Sequence, residues 1–241
     1  MFFSSLINYI IFKQYLYIKI ALPGRKYSWG FIMRRLHTAG SEDIRVIIFD
    51  LGKVIVDFNH RVICKRLAGQ CSVNPDEIYT QLFESKLEAR FDEGRITPEQ
   101  FHKEVICSIG GNVNINTLKN IWNHIFTINA GISALLRSLK KEYRLLCLSN
   151  TNVWHFEYCR ETFPALRQFD AFILSYRVGA RKPRSRIFSE ALKASGTLPR
   201  HCLYIDDIVE YVQKAQALGM RGIHFTSVEQ LKHALKQYLA D

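Results

Sequence analysis

From Arg45 onward the chain alternates short, β-branched apolar runs with stretches of helical periodicity, and this alternation limits the fold more than any other feature. Strands separated by helix-length segments are joined as crossovers in a parallel sheet. The strands are read at Val46–Asp50, Leu145–Ser149, Ala171–Leu174, Cys202–Asp206 and Gly222–Phe225. Between and after them the pattern predicts helices over Ile132–Glu142, Asn152–Glu161, Ser185–Ala194, Ile208–Leu218 and Val228–Leu239. The last opens with Ser227 three residues before Gln230, a capping-box spacing. The class is therefore α/β, with a doubly wound parallel sheet.

The alternation is interrupted once. From about Asn59 to Asn129 the sequence offers helical patterns, Pro75–Ala89 and Pro98–Ser108 among them, and no strand. The expected organisation is a sheet domain formed by residues 44–58 and 130–241, a helical insertion at 59–129, and a separate extension at 1–43. That extension carries no acidic residue before Ser41, and Pro23–Gly24 ends any helix there. Its longest uncharged stretch, Met1–Phe12, is far short of the roughly 20 residues a bilayer span needs, so no transmembrane helix is expected. Three readings stay open: an interfacial amphipathic helix, a cleavable targeting segment, or sequence upstream of a true start at Met33.

A formal charge of +11 attracts anions of every kind. The basic residues are scattered, with clusters only at Arg34–Arg35 and Arg181–Arg186, and show neither zinc-finger spacing nor a long basic helix, so nucleic acid is not the expected partner. The six cysteines form no CxxC pair, and Cys147 and Cys202 fall inside buried-strand runs. Free thiols, and with them a reducing, cytoplasmic location, are expected.

Ligands of open α/β sheets bind beyond the carboxyl ends of the strands. Three strands here end in polar residues: Asp50, Ser149–Asn150 and Asp206–Asp207. Taken singly, each is as readily a helix cap or turn former; three together mark a site. Carboxylates without a His or Cys cluster suit a hard cation such as magnesium, which takes one or two carboxylates plus phosphate oxygens. His124, His155, His201 and His224 show no metal-ligand spacing. A hydroxyl and amide at Ser149–Asn150 could hold phosphate oxygens, and Lys182 could neutralise the charge that develops in phosphoryl transfer. Asp57 and His60 read as turn residues, and Trp122 and Trp154 as packing.

In order, Phe49-Asp-Leu-Gly-Lys-Val-Ile-Val-Asp57, Leu148-Ser-Asn-Thr-Asn152, Arg181-Lys-Pro183 and Tyr204-Ile-Asp-Asp207 resemble the four motifs of the haloacid dehalogenase-like superfamily. The likeness is strongest to the branch containing bacterial α-D-glucose-1-phosphate phosphatase and the phosphatase domain of soluble epoxide hydrolase. Phe91-Asp-Glu-Gly-Arg-Ile-Thr-Pro-Glu-Gln-Phe101 is similar to a segment of that branch's small cap. The resemblance implies a Rossmann-like sheet with a small helical cap, and a magnesium-dependent phosphatase of small phosphorylated metabolites, sugar phosphates among them. It implies that Asp50 attacks phosphorus to form an aspartyl-phosphate. Magnesium would be held by Asp50, the Gly52 carbonyl, Asp206 and Asp207, and the phosphoryl group by Ser149, Asn150, Lys182, Gly52 and Lys53.

Two departures stand out. Gly52 occupies the place where many phosphatases of the superfamily carry the aspartate that protonates the leaving group, a loss worth roughly 10²–10⁴ in rate. It predicts a bias toward esters with good leaving groups, such as anomeric sugar phosphates. Tyr211 replaces a frequent asparagine or aspartate of the fourth motif. The alternatives kept are a 2-haloacid dehalogenase, which would need no magnesium, and a degenerate member that binds phosphate or a protein without turnover.

Overall fold

The computed structural model describes residues 44–239, so the expectations for residues 1–43, Met33 and Arg34–Arg35 included, lie outside the described residues. The chain enters at β1 (Val46–Phe49), continues through β2 (Val56–Phe58) into a run of helices, and returns along β3 (Phe126–Ile128). It then alternates α6 (Ile132–Leu139), β4 (Arg144–Ser149), α7 (Val153–Thr162), β5 (Ala171–Leu174), the short α8 (Ser175–Val178), α9 (Ser185–Ser195), β6 (Cys202–Asp206), α10 (Val209–Ala217), β7 (Arg221–His224) and α11 (Val228–Leu235).

The main sheet has the order β5-β4-β1-β6-β7, and every pairing is parallel. All five strands lie where the sequence predicts them, within one residue at each end. β1 is central and fully buried because helices cover both faces. The two-residue period of a strand sends Ile47, Phe49, Leu145, Cys147, Leu203 and Ile205 to one face, against α6 and α11. Val46, Ile48, Leu146, Leu148, Cys202 and Tyr204 go to the other, against α9 and α10. From β1 the chain builds outward to β4 and β5, then crosses back to β6 and β7. The strand order reverses around β1, and that switch point is where a crevice opens.

Between β2 and β3 lie α1 (His60–Ala68), α2 (Pro75–Tyr79), α3 (Leu87–Asp92), α4 (Pro98–Ile109) and α5 (Ile115–Asn123). They share their own apolar cluster, in which Phe91, Phe101, Trp122 and Trp154 are buried. Side-chain caps start four of these helices: Asn59, Asn74, Thr97, which forms a complete capping box with Gln100, and Asn114.

Two expectations are corrected here. The stretch 59–129 does contain a strand: β3 pairs antiparallel with β2, Val56 opposite Ile128 and Phe58 opposite Phe126. Three residues carry no readable alternation, and β3 exists through pairing with a segment distant in sequence. The run Pro75–Ala89 is not one helix. A π turn over Thr80–Glu84 follows α2, and Lys86 adopts left-handed backbone (φ 70°), which ends the ladder before α3 begins. Among the described residues no helix is long and apolar enough to cross a membrane. All six cysteines are free.

Candidate active site

The carboxyl ends of β1, β4 and β6 bring the predicted polar residues together. Asp50 follows β1, Ser149 ends β4 and Asp206 ends β6, each buried. The loop after α8 lays Lys182 across them, its ammonium 2.8 Å from Asp50 Oδ1 and 2.7 Å from Asp206 Oδ2, with 1% of its side chain exposed. Asp206 is further fixed by the Tyr204 hydroxyl, which donates to Oδ2, and by the Ile208 N–H, which donates to Oδ1 at 2.8 Å. Asp50 Oδ1 also accepts from the Leu51 N–H at 2.7 Å.

Burial pushes the Asp50 carboxyl up to about 7, against the pull of Lys182. Burial alone would lower the Lys182 ammonium, but Asp50 and Asp206 together outweigh it and raise it. Asp207 is raised by burial and by its neighbour Asp206. One oxygen from each of Asp50, Asp206 and Asp207 lies within 4.8 Å of the others. Among the described residues Lys182 is the ammonium in contact with Asp50 and Asp206, with Asp207 beside them, so a divalent cation would balance the remaining negative charge. The all-oxygen donor set fits magnesium. The Gly52 carbonyl accepts from the Val54 N–H at 2.7 Å and keeps a second lone pair for a ligand.

The predicted phosphate-binding residues do not all point at one spot. Ser149 and Asn150 line the same cavity as Asp50 and Lys182. Yet the Asn150 amide grips the backbone of residue 182: Oδ1 accepts from the Lys182 N–H at 2.7 Å and Nδ2 donates to the Lys182 carbonyl at 3.2 Å. That reciprocal pair sets where the Lys182 ammonium reaches. Lys53 stands at the cavity edge with its ammonium on Asp57 at 2.5 Å and on the Phe58 carbonyl at 2.6 Å.

The cavity, about 180 Å³, has a second wall that the sequence did not reveal. Its helical side carries His60, Glu88 and Asp92, with Phe58, Phe126, His155, Arg181 and Tyr211 around them. His60 is the first residue of α1 and half-buried in that wall, not a turn residue as expected, while Asp57 lies in β2. His155 is held by Trp122 O on Nε2 at 3.1 Å and by burial is lowered to about 3. Asp92, raised to about 6 by burial, accepts from Asn152 Nδ2 at 3.0 Å. His60 and Glu88 have no local signature; only the folded insertion brings them to Arg181 and Tyr211 of the sheet domain.

Gly52 also acquires a physical reason. A Cβ at this position would stand 2.8 Å from Phe58 Cε1, and Phe58 is itself packed against His60 and Phe126 with ring centroids at 4.9 and 5.8 Å. An aspartate cannot enter without displacing that ring. Gly52→Ala is therefore expected to lower stability by about 1–3 kcal/mol in denaturant unfolding. In a Phe58→Ala background the same change is expected to be neutral or stabilising, the usual sign for an unstrained Gly→Ala substitution. A loss of similar size in both backgrounds would show that the ring is not the obstacle.

Comparison with known proteins gives the frame. D-ribitol-5-phosphate phosphatase of Bacteroides thetaiotaomicron is 25% identical, the match covering 73% of this chain and 89% of that one. The sesquiterpene phosphatase astK of Aspergillus oryzae is 27% identical over 76% of this chain and 90% of its own. Among solved structures, the enzyme bt-2542 of Bacteroides thetaiotaomicron, in complex with magnesium and inorganic phosphate, superposes with a TM-score of 0.69 at 23% identity, covering 80% of this chain and 100% of its own. The family model described as haloacid dehalogenase-like hydrolase matches residues 47–225, and with the parallel sheet and the four motifs gathered at its carboxyl edge, the chain belongs to that family.

Proposed function

We propose that this protein is a magnesium-dependent phosphatase of small phosphate monoesters, sugar and polyol phosphates foremost, working through an aspartyl-phosphate on Asp50. The observation that carries this reading is the Lys182 ammonium bridging Asp50 and Asp206, with Asp207 in the same cluster. A nucleophile, an anion receptor and a hard-cation donor set share one cavity.

Asp50 Oδ1 is occupied by Lys182 and the Leu51 N–H, which leaves Oδ2 to attack phosphorus in line with the leaving oxygen. Lys182, fixed through Asn150, neutralises the oxygens of the transferring group at a preorganised position. Ser149 supplies a hydroxyl beside it. Magnesium, when bound by Asp50, Asp206, Asp207 and the Gly52 carbonyl, supplies the further positive charge that phosphoryl transfer requires. Arg181 lines the cavity with a buried Nε–H that has no hydrogen-bond partner among the described residues, a donor that a substrate hydroxyl would satisfy. The net charge of +11 favours anionic ligands such as phosphorylated metabolites, and the free, largely buried cysteines support a reducing compartment such as the cytosol.

The test is phosphate release from a panel of D-ribitol 5-phosphate, glucose 1-phosphate, nucleotides and an isoprenoid phosphate, with magnesium or with chelator. Release from sugar or polyol esters is expected, falling at least about 10²-fold with chelator, since a catalytic cation contributes several kcal/mol. Metal-independent turnover of a 2-haloacid would instead establish the dehalogenase reading. A folded protein that binds magnesium and releases nothing would establish the non-catalytic one.

A further inference from the structure

We propose that Glu88, on the helical wall of the cavity, is the proton donor to the leaving group that Gly52 cannot be, and that its carboxylate then takes a proton from the water that hydrolyses the aspartyl-phosphate. The inference rests on the phosphatase reading above.

Glu88 sits in the first turn of α3, just after the left-handed break at Lys86, and lines the same cavity as Asp50, Ser149 and Lys182. Its side chain is 14% exposed, and Oε1 lies 3.4 Å from His60 Nε2. His60 is stacked on Phe83 with ring centroids at 4.4 Å and flanked by Phe58, the ring that fills the space beside Gly52. The residue that excludes an acid at position 52 thus also packs the histidine that stands beside Glu88. The charged groups around Glu88 are His60 from α1, Asp92 one turn on along α3, and Arg181 from the loop before α9. Burial, then Asp92, raises the Glu88 carboxyl well above the ordinary range, with Arg181 opposing. Burial, with Lys53 and Arg181, lowers His60 to about 4. Both directions place the proton of the pair on Glu88 rather than on His60.

The step balances. Asp50 Oδ2 bonds to phosphorus as the bond from phosphorus to the ester oxygen breaks; that oxygen takes the Glu88 proton and leaves as an alcohol, with Glu88 now a carboxylate. Water then bonds to phosphorus, one of its protons returns to Glu88, and Asp50 departs as a carboxylate with inorganic phosphate formed.

Other groups in the cavity are already engaged. His155 has Nε2 on Trp122 O and Nδ1 facing Asn152 Nδ2 at 3.3 Å. Asp92 is bonded to Asn152 and faces Arg181 at 3.7 Å. The Tyr211 phenol is raised further by burial and is too weak an acid at neutral pH.

The experiment measures first-turnover release of the leaving group from p-nitrophenyl phosphate, whose phenol needs no proton. The comparison is the fastest alkyl substrate among D-ribitol 5-phosphate, glucose 6-phosphate and glycerol 1-phosphate. Glu88→Gln is expected to slow the alkyl ester about 10²–10⁴-fold and the nitrophenyl ester by no more than about threefold. In parallel, wild-type rates across a series of aryl and alkyl phosphates are expected to depend only shallowly on leaving-group acidity, and this arm needs no variant to fold. The leaving-group bias anticipated from Gly52 then emerges only in the variant. Equal slowing of both esters, no slowing of either, or a steep dependence in the wild type overturns the assignment while leaving the phosphatase reading intact. A wild type inert toward every ester overturns both.

Discussion

Asp50→Asn is expected to leave a folded protein in which phosphate release falls at least about 10⁴-fold and no acid-stable phosphoenzyme forms on quenching, because removing a covalent nucleophile eliminates the whole two-step route. The amide matches the carboxylate in shape but cannot attack phosphorus. Stability supplies the control. The Asp50 carboxyl is held at about 7, far above its ordinary value, chiefly by burial. A group raised in this way has its charged form disfavoured by the fold, so above that value its ionisation works against stability. A neutral side chain relieves this, and Lys182 keeps its 2.7 Å partner Asp206. The melting temperature of the variant at neutral pH should equal or exceed that of the wild type. An inactive variant that also melts much lower would point to structural damage rather than loss of the nucleophile.

Lys182→Met is expected to act on both stability and rate. The side chain is 1% exposed and is the cation that faces Asp50 and Asp206 together. Removing one partner of a buried ion pair leaves uncompensated charge, at a cost of about 3–5 kcal/mol. Turnover should fall roughly 10³-fold, the scale set by losing one preorganised charge at a developing anion. Magnesium should restore part of the stability, since it binds the folded carboxylate cluster and not the unfolded chain. Denaturant unfolding with and without magnesium checks this: the magnesium-dependent gain should be larger in the variant than in the wild type. An unchanged midpoint without metal would mean that the ammonium does not compensate these carboxylates.

How much of this was legible in the sequence differs between the two walls of the cavity. The strand-borne wall was readable because each residue there ends an apolar run, and the two-residue period of a strand fixes where that end points. Asp50, Ser149 and Asp206 were found that way, and Lys182 from its place on the loop ahead of Pro183. The opposite wall was not readable. Glu88 lies in a run that scans as one amphipathic helix over Pro75–Ala89, and the break at Lys86 depends on a single backbone angle in a residue that seldom adopts it. His60 looked like a turn residue because β2, which precedes it, exists only through pairing with β3. Asn150 was read as a phosphate ligand from its place at a strand end, and its side chain also bonds to the backbone of residue 182, a contact that no local pattern encodes.

The packing of Phe58 over Gly52 bears on the history open to this chain as well as on its chemistry. A single substitution that places an aspartate at position 52 would meet the ring before it could contribute anything, so it is expected to lower stability. A prior change at position 58 would disturb the stack that carries His60. Each single step is expected to cost stability or disturb the stack, which makes the two positions mutually contingent. Lineages sharing this pair should therefore exchange both residues together or neither.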